Sequence, residues 1–243
     1  MSSVDIRGMF AGLPGAHGII EAALNGQGRV MTDGAARPSS AAVLAGDFLF
    51  FGGEPSEELV RRALNAENRA WIVQGSNAFL ALVQVQRSGT WSERIAFDPH
   101  RQPEDAHLTA LLANLPQSVT LVPIGAAEMA FCRKNSWAAD FVSQFTEDEY
   151  ARSGLGVLVC ADGAFVSGAS SYAAYPGGIE VEVDTAPAHR GHGYATLAAA
   201  KLILTAHQQG KIATWDAANE TSAHIAQKLG YRVTCAYQVF TTA

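Results

Sequence analysis

The chain has 243 residues, 48% of them hydrophobic and 16% charged, with a formal net charge of −6. That is enough apolar material for one large domain or two small ones, and the acidic balance argues against a general nucleic-acid or anionic-membrane binder. Cys132, Cys160 and Cys235 are scattered, cannot all pair and show no metal-ligand spacing, which suits a reducing cytoplasm; no signal peptide and no transmembrane span is expected.

Ile19 to Leu24 reads as a short helix closed by Gly26 and Gly28, and Arg29 to Asp33 as a strand. Ala41 to Leu49 resembles an apolar strand pair broken at Gly46-Asp47, and Phe48 to Phe51 is a buried-strand run that stops at Gly52-Gly53. Pro55-Ser56 followed by Glu57 and Glu58 signals a helix start, because carboxylates in a first turn suit the helix dipole. That helix should reach about Asn65. Ala70 to Gln74, Ala78 to Arg87 and Ile95 to Pro99 read as strands, and about Pro103 to Asn114 as a helix. This half carries no nucleophile–base pair at a telling spacing. His17, His100 and His107 are isolated and read as structural, and Trp71 and Trp91 as core or contact residues.

Ser118 to Ile124 is a strand, and Gly125 to Phe131 has no clear pattern. Thr146 with Glu149 three residues on is a capping box. Gly154 to Cys160, the turn Asp162-Gly163 and Ala164 to Tyr172 form a hairpin. A turn over Tyr175 to Gly178 leads to Ile179 to Thr185, completing an antiparallel meander. A helix from Leu197 to His207, a strand over Ile212 to Trp215, a helix from Ser222 to Lys228 and a strand from Val233 to Phe240 follow. The pattern is α+β with one crossover.

The most specialised stretch is Ile179 to Thr196, IEVEVDTAPAHRGHGYAT. Apolar and acidic residues alternate with the period of a strand, and Pro187 ends it. A glycine-containing turn, Arg190-Gly191-His192-Gly193-Tyr194-Ala195, then enters the helix. Strand, glycine turn and helix point backbone N–H groups at a phosphate. Glu180, Glu182 and Asp184 share one strand face. Partly buried, such a row would raise its own pKa values, suit a base and attract a cationic amine; solvated, it would be an ordinary exposed face.

Arg190-x-x-Gly193-x-Ala195 resembles the Q/R-x-x-G-x-G/A acetyl-CoA signature of the GNAT N-acetyltransferases, with Pro187 three residues ahead of the arginine. Asn219-Glu-Thr-Ser222 followed by Gln227-Lys-Leu-Gly-Tyr231 resembles that family's closing N-x-x-S/A … K-L-G-F/Y element. The wording is similar to a bacterial subgroup typified by zwittermicin A resistance proteins. The specific part spans about residues 154 to 240, with a weak extension through GDFLFFGG.

The resemblance implies a GNAT fold, a mixed and mostly antiparallel sheet flanked by helices, over 118–243. A smaller α/β N-terminal domain over 1–117 would pack against it and cover part of the acceptor cleft. Acetyl-CoA would be the acyl donor, with no metal and no covalent enzyme intermediate. Its phosphates would meet Arg190, Gly191, His192, Gly193, Tyr194, Ala195 and Thr196, with His192 pointing outward and Arg190 adding charge or bracing the turn. Its pantetheine would lie along the backbone of Val183 and Thr185, an N–H near Val183 would meet the developing oxyanion, and Asn219 and Ser222 would complete the cofactor-binding set. An ammonium of pKa about 10 needs a base at neutral pH; Glu182 is preferred, with Glu180 second. The tyrosine that often protonates the leaving thiolate in this superfamily is replaced by Ala226, so Ser222, Tyr231 or water would substitute. The acceptor expected is a small-molecule primary amine, such as an amino-sugar or aminopolyol antibiotic, a polyamine or an amino acid. Neither nucleic acid nor membrane is expected as a partner, a homodimer is left open, and the location expected is cytoplasmic. A non-catalytic acyl-CoA sensor and a protein N-acetyltransferase are the alternatives.

Overall fold

The computed structural model describes residues 6–113 and 115–243. Helix α1 (His17–Leu24) opens the fold and is followed by a meander of β1 (Arg29–Thr32), β2 (Ser40–Ala45) and β3 (Phe48–Gly53). The break at Gly46-Asp47 is the tight turn between β2 and β3. Helix α2 (Glu57–Leu64) starts on Ser56, whose side chain accepts from Leu59 N–H, and crosses to β4 (Ile72–Gln74), which runs parallel to β3. Every residue of β2 and all but the last of β3 are buried. Both faces are covered: Ala41, Val43, Phe48 and Phe50 pack with α1, while Ala42, Leu44, Leu49 and Phe51 pack with α2 and the helix after β4. That is why these strands read as unbroken apolar runs instead of alternating.

Residues 78–87, expected as a strand, form helix α3 (Asn77–Gln86). Ser76 caps it by accepting from Phe79 N–H, and Phe79, Leu80 and Val83 face inward at helical spacing, with Phe79 stacked on Phe51. The alternation of Val83 and Val85 with glutamines imitated a strand, yet Val85 is 83% exposed. Burial of one helical face decided the outcome.

Strand β5 (Gly89–Phe97) begins well before the expected Ile95. Helix α4 (Asp105–Leu112) follows; its expected end at Asn114 lies outside the described residues. Next come β6 (Val119–Pro123), α5 (Ala126–Lys134) over the stretch that had no clear pattern, and α6 (Glu147–Ser153) with the Thr146–Glu149 capping box formed. The meander β7 (Gly156–Ala161), β8 (Ala164–Tyr175) and β9 (Gly178–Thr185) is as expected, and Asp162 and Gly163 both take positive φ, as a two-residue turn of this hand requires. Helix α7 (Tyr194–Gln208) leads to β10 (Ile212–Thr214), then β11 (Asp216–Ala217), α8 (Glu220–Leu229) and β12 (Val233–Thr242).

The strands form two sheets, one ordered β1-β2-β3-β4-β12-β5-β11 and the other β10-β9-β8-β7-β6. They do not divide the chain at 117/118. The expected strand over Ile212 to Trp215 forms as β10 in the second sheet and ends at Thr214; past Trp215 the chain enters β11 in the first sheet, antiparallel to β5. The last strand, β12, also joins the first sheet, between β4 and β5. In the opposite sense, α1 lies between the sheets, its buried face shared by β2, β3 and β8. Tyr172 of β8 ties them further: its hydroxyl accepts from the Asp47 N–H in the β2–β3 turn at 2.9 Å, and the space at Gly46 is filled by that phenol. The region between the sheets is therefore built from both halves of the sequence. Among the described residues no helix is long and apolar enough to cross a membrane.

Candidate active site

Two cavities lie next to each other along β9. The larger, of about 470 Å³, is lined by Val183, Asp184 and Thr185 of β9, the turn from His189 to Thr196, and Asn219, Thr221, Ser222 and Ile225 at the start of α8. All eleven residues expected to hold the donor are among them. Gly191 and Gly193 have φ of 82° and 79°, a region that disfavours side chains, and a Cβ at either would project into open space. Gly193 is the N-cap of α7 and no side chain caps the helix, which leaves its first-turn N–H groups to the cavity. Arg190 braces the turn: its Nε donates to the Thr185 carbonyl at 3.2 Å. His192 stacks on Tyr194 with centroids 5.5 Å apart, and its Nδ1 lies 3.0 Å from the Arg190 carbonyl. Asn219 caps α8 through Ser222 N–H at 2.9 Å. The Ser222 hydroxyl accepts from the Trp215 indole N–H at 3.1 Å, so its own hydrogen is available on the cavity side.

Strand β10 accompanies β9 only over Gly178 to Glu180, so from Val181 onward the outer edge of β9 has no strand beside it. An exposed edge of this kind accepts a peptide-like ligand by strand addition. Helix N-terminus, open glycines and free strand edge together fit a ligand with a diphosphate at one end and amides along its length.

The smaller cavity, of about 150 Å³, lies between the sheets. Glu180, Val181 and Glu182 of β9 line it with Ile19, Asp47, Phe48, Ile72, Arg94, Asp140, Tyr172, Asp216 and Ala218. The acidic row is thus divided. Glu180 and Glu182 face the inter-sheet cavity, whereas Asp184 faces the larger one. Burial is the main cause that pushes Glu182 up to about 7, with the charges of Asp140 and Asp184 adding to it and Arg94 and the Val183 N–H opposing. Glu180 is only 4% exposed and is pushed up to about 8, again chiefly by burial. A solvated acidic face would show neither effect.

The surroundings of Glu180 favour its protonated form on geometric grounds. The Thr214 Oγ1 lies within hydrogen-bond reach of both the Ile179 carbonyl and the Glu180 carboxyl, yet a hydroxyl has one hydrogen. Both contacts are satisfied when Glu180 carries a proton and donates to Thr214, which donates to Ile179. A neutral carboxylic acid held this way is a poor base, so of the two expected candidates the geometry favours Glu182. Gly18 of α1 permits the arrangement, since a Cβ there would strike both Thr214 and Glu180.

Arg94 is the cation of this cavity. Its Nε donates to Asp216 Oδ2 at 2.6 Å, both side chains are nearly buried at 12% and 3% exposure, and the guanidinium lies over the Phe48 ring at 5.1 Å. Arg94, Asp47, Asp140 and Tyr172 carry no local sequence signal; each comes from a different element and the two sheets bring them together. Tyr231 is excluded as a proton donor to the larger cavity, because its buried hydroxyl donates to the Ala213 carbonyl at 2.7 Å. Ala226, where a tyrosine was expected, is fully buried.

The family model for GNAT acetyltransferase matches residues 9–240. Among solved structures, a GCN5-related N-acetyltransferase-like protein from Streptococcus suis is 32% identical with a TM-score of 0.87, covering 98% of this chain and 97% of that one. A GCN5-related N-acetyltransferase from Kribbella flavida is 22% identical with a TM-score of 0.61, covering 95% and 96%, and a tandem GNAT protein from the clavulanic acid biosynthesis pathway is 14% identical at 0.50, covering 89% and 83%. These two share the fold. No curated protein matches. The family model spans both sheets, the acetyl-CoA that this family uses as donor suits the larger cavity, and the chain is accordingly a member of the GNAT acetyltransferase family.

Proposed function

We propose that this acetyltransferase transfers the acetyl group of acetyl-CoA directly to a primary amine of a small cationic molecule held between the two sheets. One observation carries the reading: β9 lines both cavities, the larger with Val183 to Thr185 and the acidic one with Glu180 to Glu182. Donor and acceptor would meet at the step from Glu182 to Val183.

Acetyl-CoA supplies an activated thioester. The first-turn N–H groups of α7 hold its diphosphate, and the outer edge of β9 pairs with its amide-bearing arm. The Val183 N–H, which in this structure supports the Glu182 carboxylate, is positioned to meet the oxyanion that develops as the amine attacks. Glu182 takes the proton of the incoming ammonium, directly or through a water. Ser222, oriented by Trp215, donates a hydrogen bond to the leaving thiolate and takes the place of the missing tyrosine.

An acidic cavity of modest volume favours a compact cation. A polyamine, an amino acid or the amine of an antibiotic meets that description, the last being the class suggested by the resemblance to zwittermicin A resistance proteins. The test is CoA release from acetyl-CoA across a panel of such amines, with a lysine peptide for comparison. Release with a small cationic amine and none with the peptide is the expected result. No release with any amine, together with no heat of acetyl-CoA binding, would sink the proposal.

A further inference from the structure

At Thr185 both backbone groups on the unaccompanied edge of β9 are occupied by the protein's own side chains. Backbone groups of alternate residues in a strand point to opposite edges. Ala186 N–H donates to the Val166 carbonyl of β8 at 2.9 Å, and the Asp184 carbonyl accepts from Ser167, also of β8. Residues 184 and 186 therefore face β8, and the N–H and carbonyl of Thr185 face outward. Both are taken. The Thr185 N–H donates to Asp184 Oδ1 at 2.6 Å, and its carbonyl accepts from Arg190 Nε at 3.2 Å. Arg190 Nη2 lies 3.6 Å from that same Asp184 oxygen. One acceptor and one donor, presented to the two backbone groups of a single residue, are what an added strand presents with the carbonyl of one amide and the N–H of the next. All three residues line the larger cavity.

We infer that Asp184 and Arg190 are an internal stand-in for the amides of the donor's arm, holding the Thr185 N–H and carbonyl until an amide carbonyl and an amide N–H of the ligand displace them. The inference rests on the assignment of the larger cavity to acetyl-CoA. Displacement leaves Asp184 and Arg190 free to pair more closely with each other, so neither charge is stranded. The arrangement selects for the arm. A ligand with a diphosphate but no amides has nothing with which to replace Asp184, and it engages only the turn and α7.

The test uses three probes on the whole protein, followed by calorimetry: CoA, ADP as the diphosphate without an arm, and pantetheine as the uncharged arm without a diphosphate. The wild type binds CoA. Asp184→Ala removes the competing acceptor and should bind pantetheine about three- to tenfold tighter, the range expected when a competing charge-assisted hydrogen bond is removed, with ADP affinity changed less than twofold. Unchanged or weaker pantetheine binding overturns the inference. So does an ADP affinity that rises as much as that of pantetheine, since that is the signature of a removed negative charge and not of a vacated strand edge. Wild-type protein that binds neither CoA nor ADP overturns the cavity assignment itself, a distinguishable failure. Should Asp184→Ala not fold, Asp184→Asn keeps the shape and should show the same preference for pantetheine at smaller size.

Discussion

Glu180→Gln tests the claim that Glu180 is a neutral acid. Glutamine keeps the shape of the protonated carboxyl, with an amide N–H for its O–H and an amide oxygen for its carbonyl, so Thr214, Ile179 and the Asp216 N–H keep their partners, and one further N–H is added. The wild type binds that proton in the folded state up to about pH 8, while the unfolded chain releases it near 4.5. A raised carboxyl pKa contributes stability that is complete below the unfolded value and lost as pH rises towards the folded one. At pH 7 the folded state must keep a proton that the unfolded state has released, which at about 1.4 kcal/mol per pH unit costs about 3 kcal/mol. The variant carries no such cost. For a chain of this length the unfolding entropy is about 0.5 kcal/mol/K, so the variant should melt about 6 °C higher at pH 7. The difference should widen to about 8 °C by pH 8 and shrink to about 2 °C by pH 5. Melts at the three pH values read this directly. A difference that does not vary with pH, or a variant less stable than the wild type at pH 8, would refute the protonated carboxyl.

The base assignment and the buried ion pair give two further expectations. With Glu182 pushed up to about 7, kcat/KM should rise through that value, and the rate at pH 6 should be about a tenth of the alkaline plateau. Glu182→Gln should lose this limb and about 10²–10⁴ in rate while CoA affinity is kept; the wild-type profile persisting in the variant would remove Glu182 as the base. Arg94→Met strands the Asp216 carboxylate in a buried site and should cost about 3–5 kcal/mol in urea unfolding, much of which Arg94→Met combined with Asp216→Leu should restore. A cost below about 1 kcal/mol would show that solvent reaches the pair more freely than its exposure suggests.

Much of the larger cavity is legible in the sequence, for a physical reason. It is built from main chain over one contiguous stretch, and main-chain geometry is announced by local residues: Pro187 ends β9, Gly191 and Gly193 supply positive φ, and small residues open α7. Capping signals at Ser56 and Thr146, and the Asp162-Gly163 turn, were legible on the same grounds. Residues 78–87 were misread because period and propensity were ambiguous there and the buried face of Phe79, Leu80 and Val83 decided for a helix.

By itself, then, the sequence carried most of the elements, the glycine turn and the alternation that puts Glu180 and Glu182 on one face. Only the tertiary structure decided what those carboxyls are. Trp215 carries the chain from one sheet to the other, β12 returns to the first sheet, and α1 fills the space between. Those long-range pairings set Thr214 against Glu180 and bring Arg94, Asp47 and Asp140 to the cavity wall. Burial and charge at a site are sums over residues distant in sequence, so the same glutamate pattern is a solvated face in one fold and, here, a pair of buried carboxyls with raised pKa values.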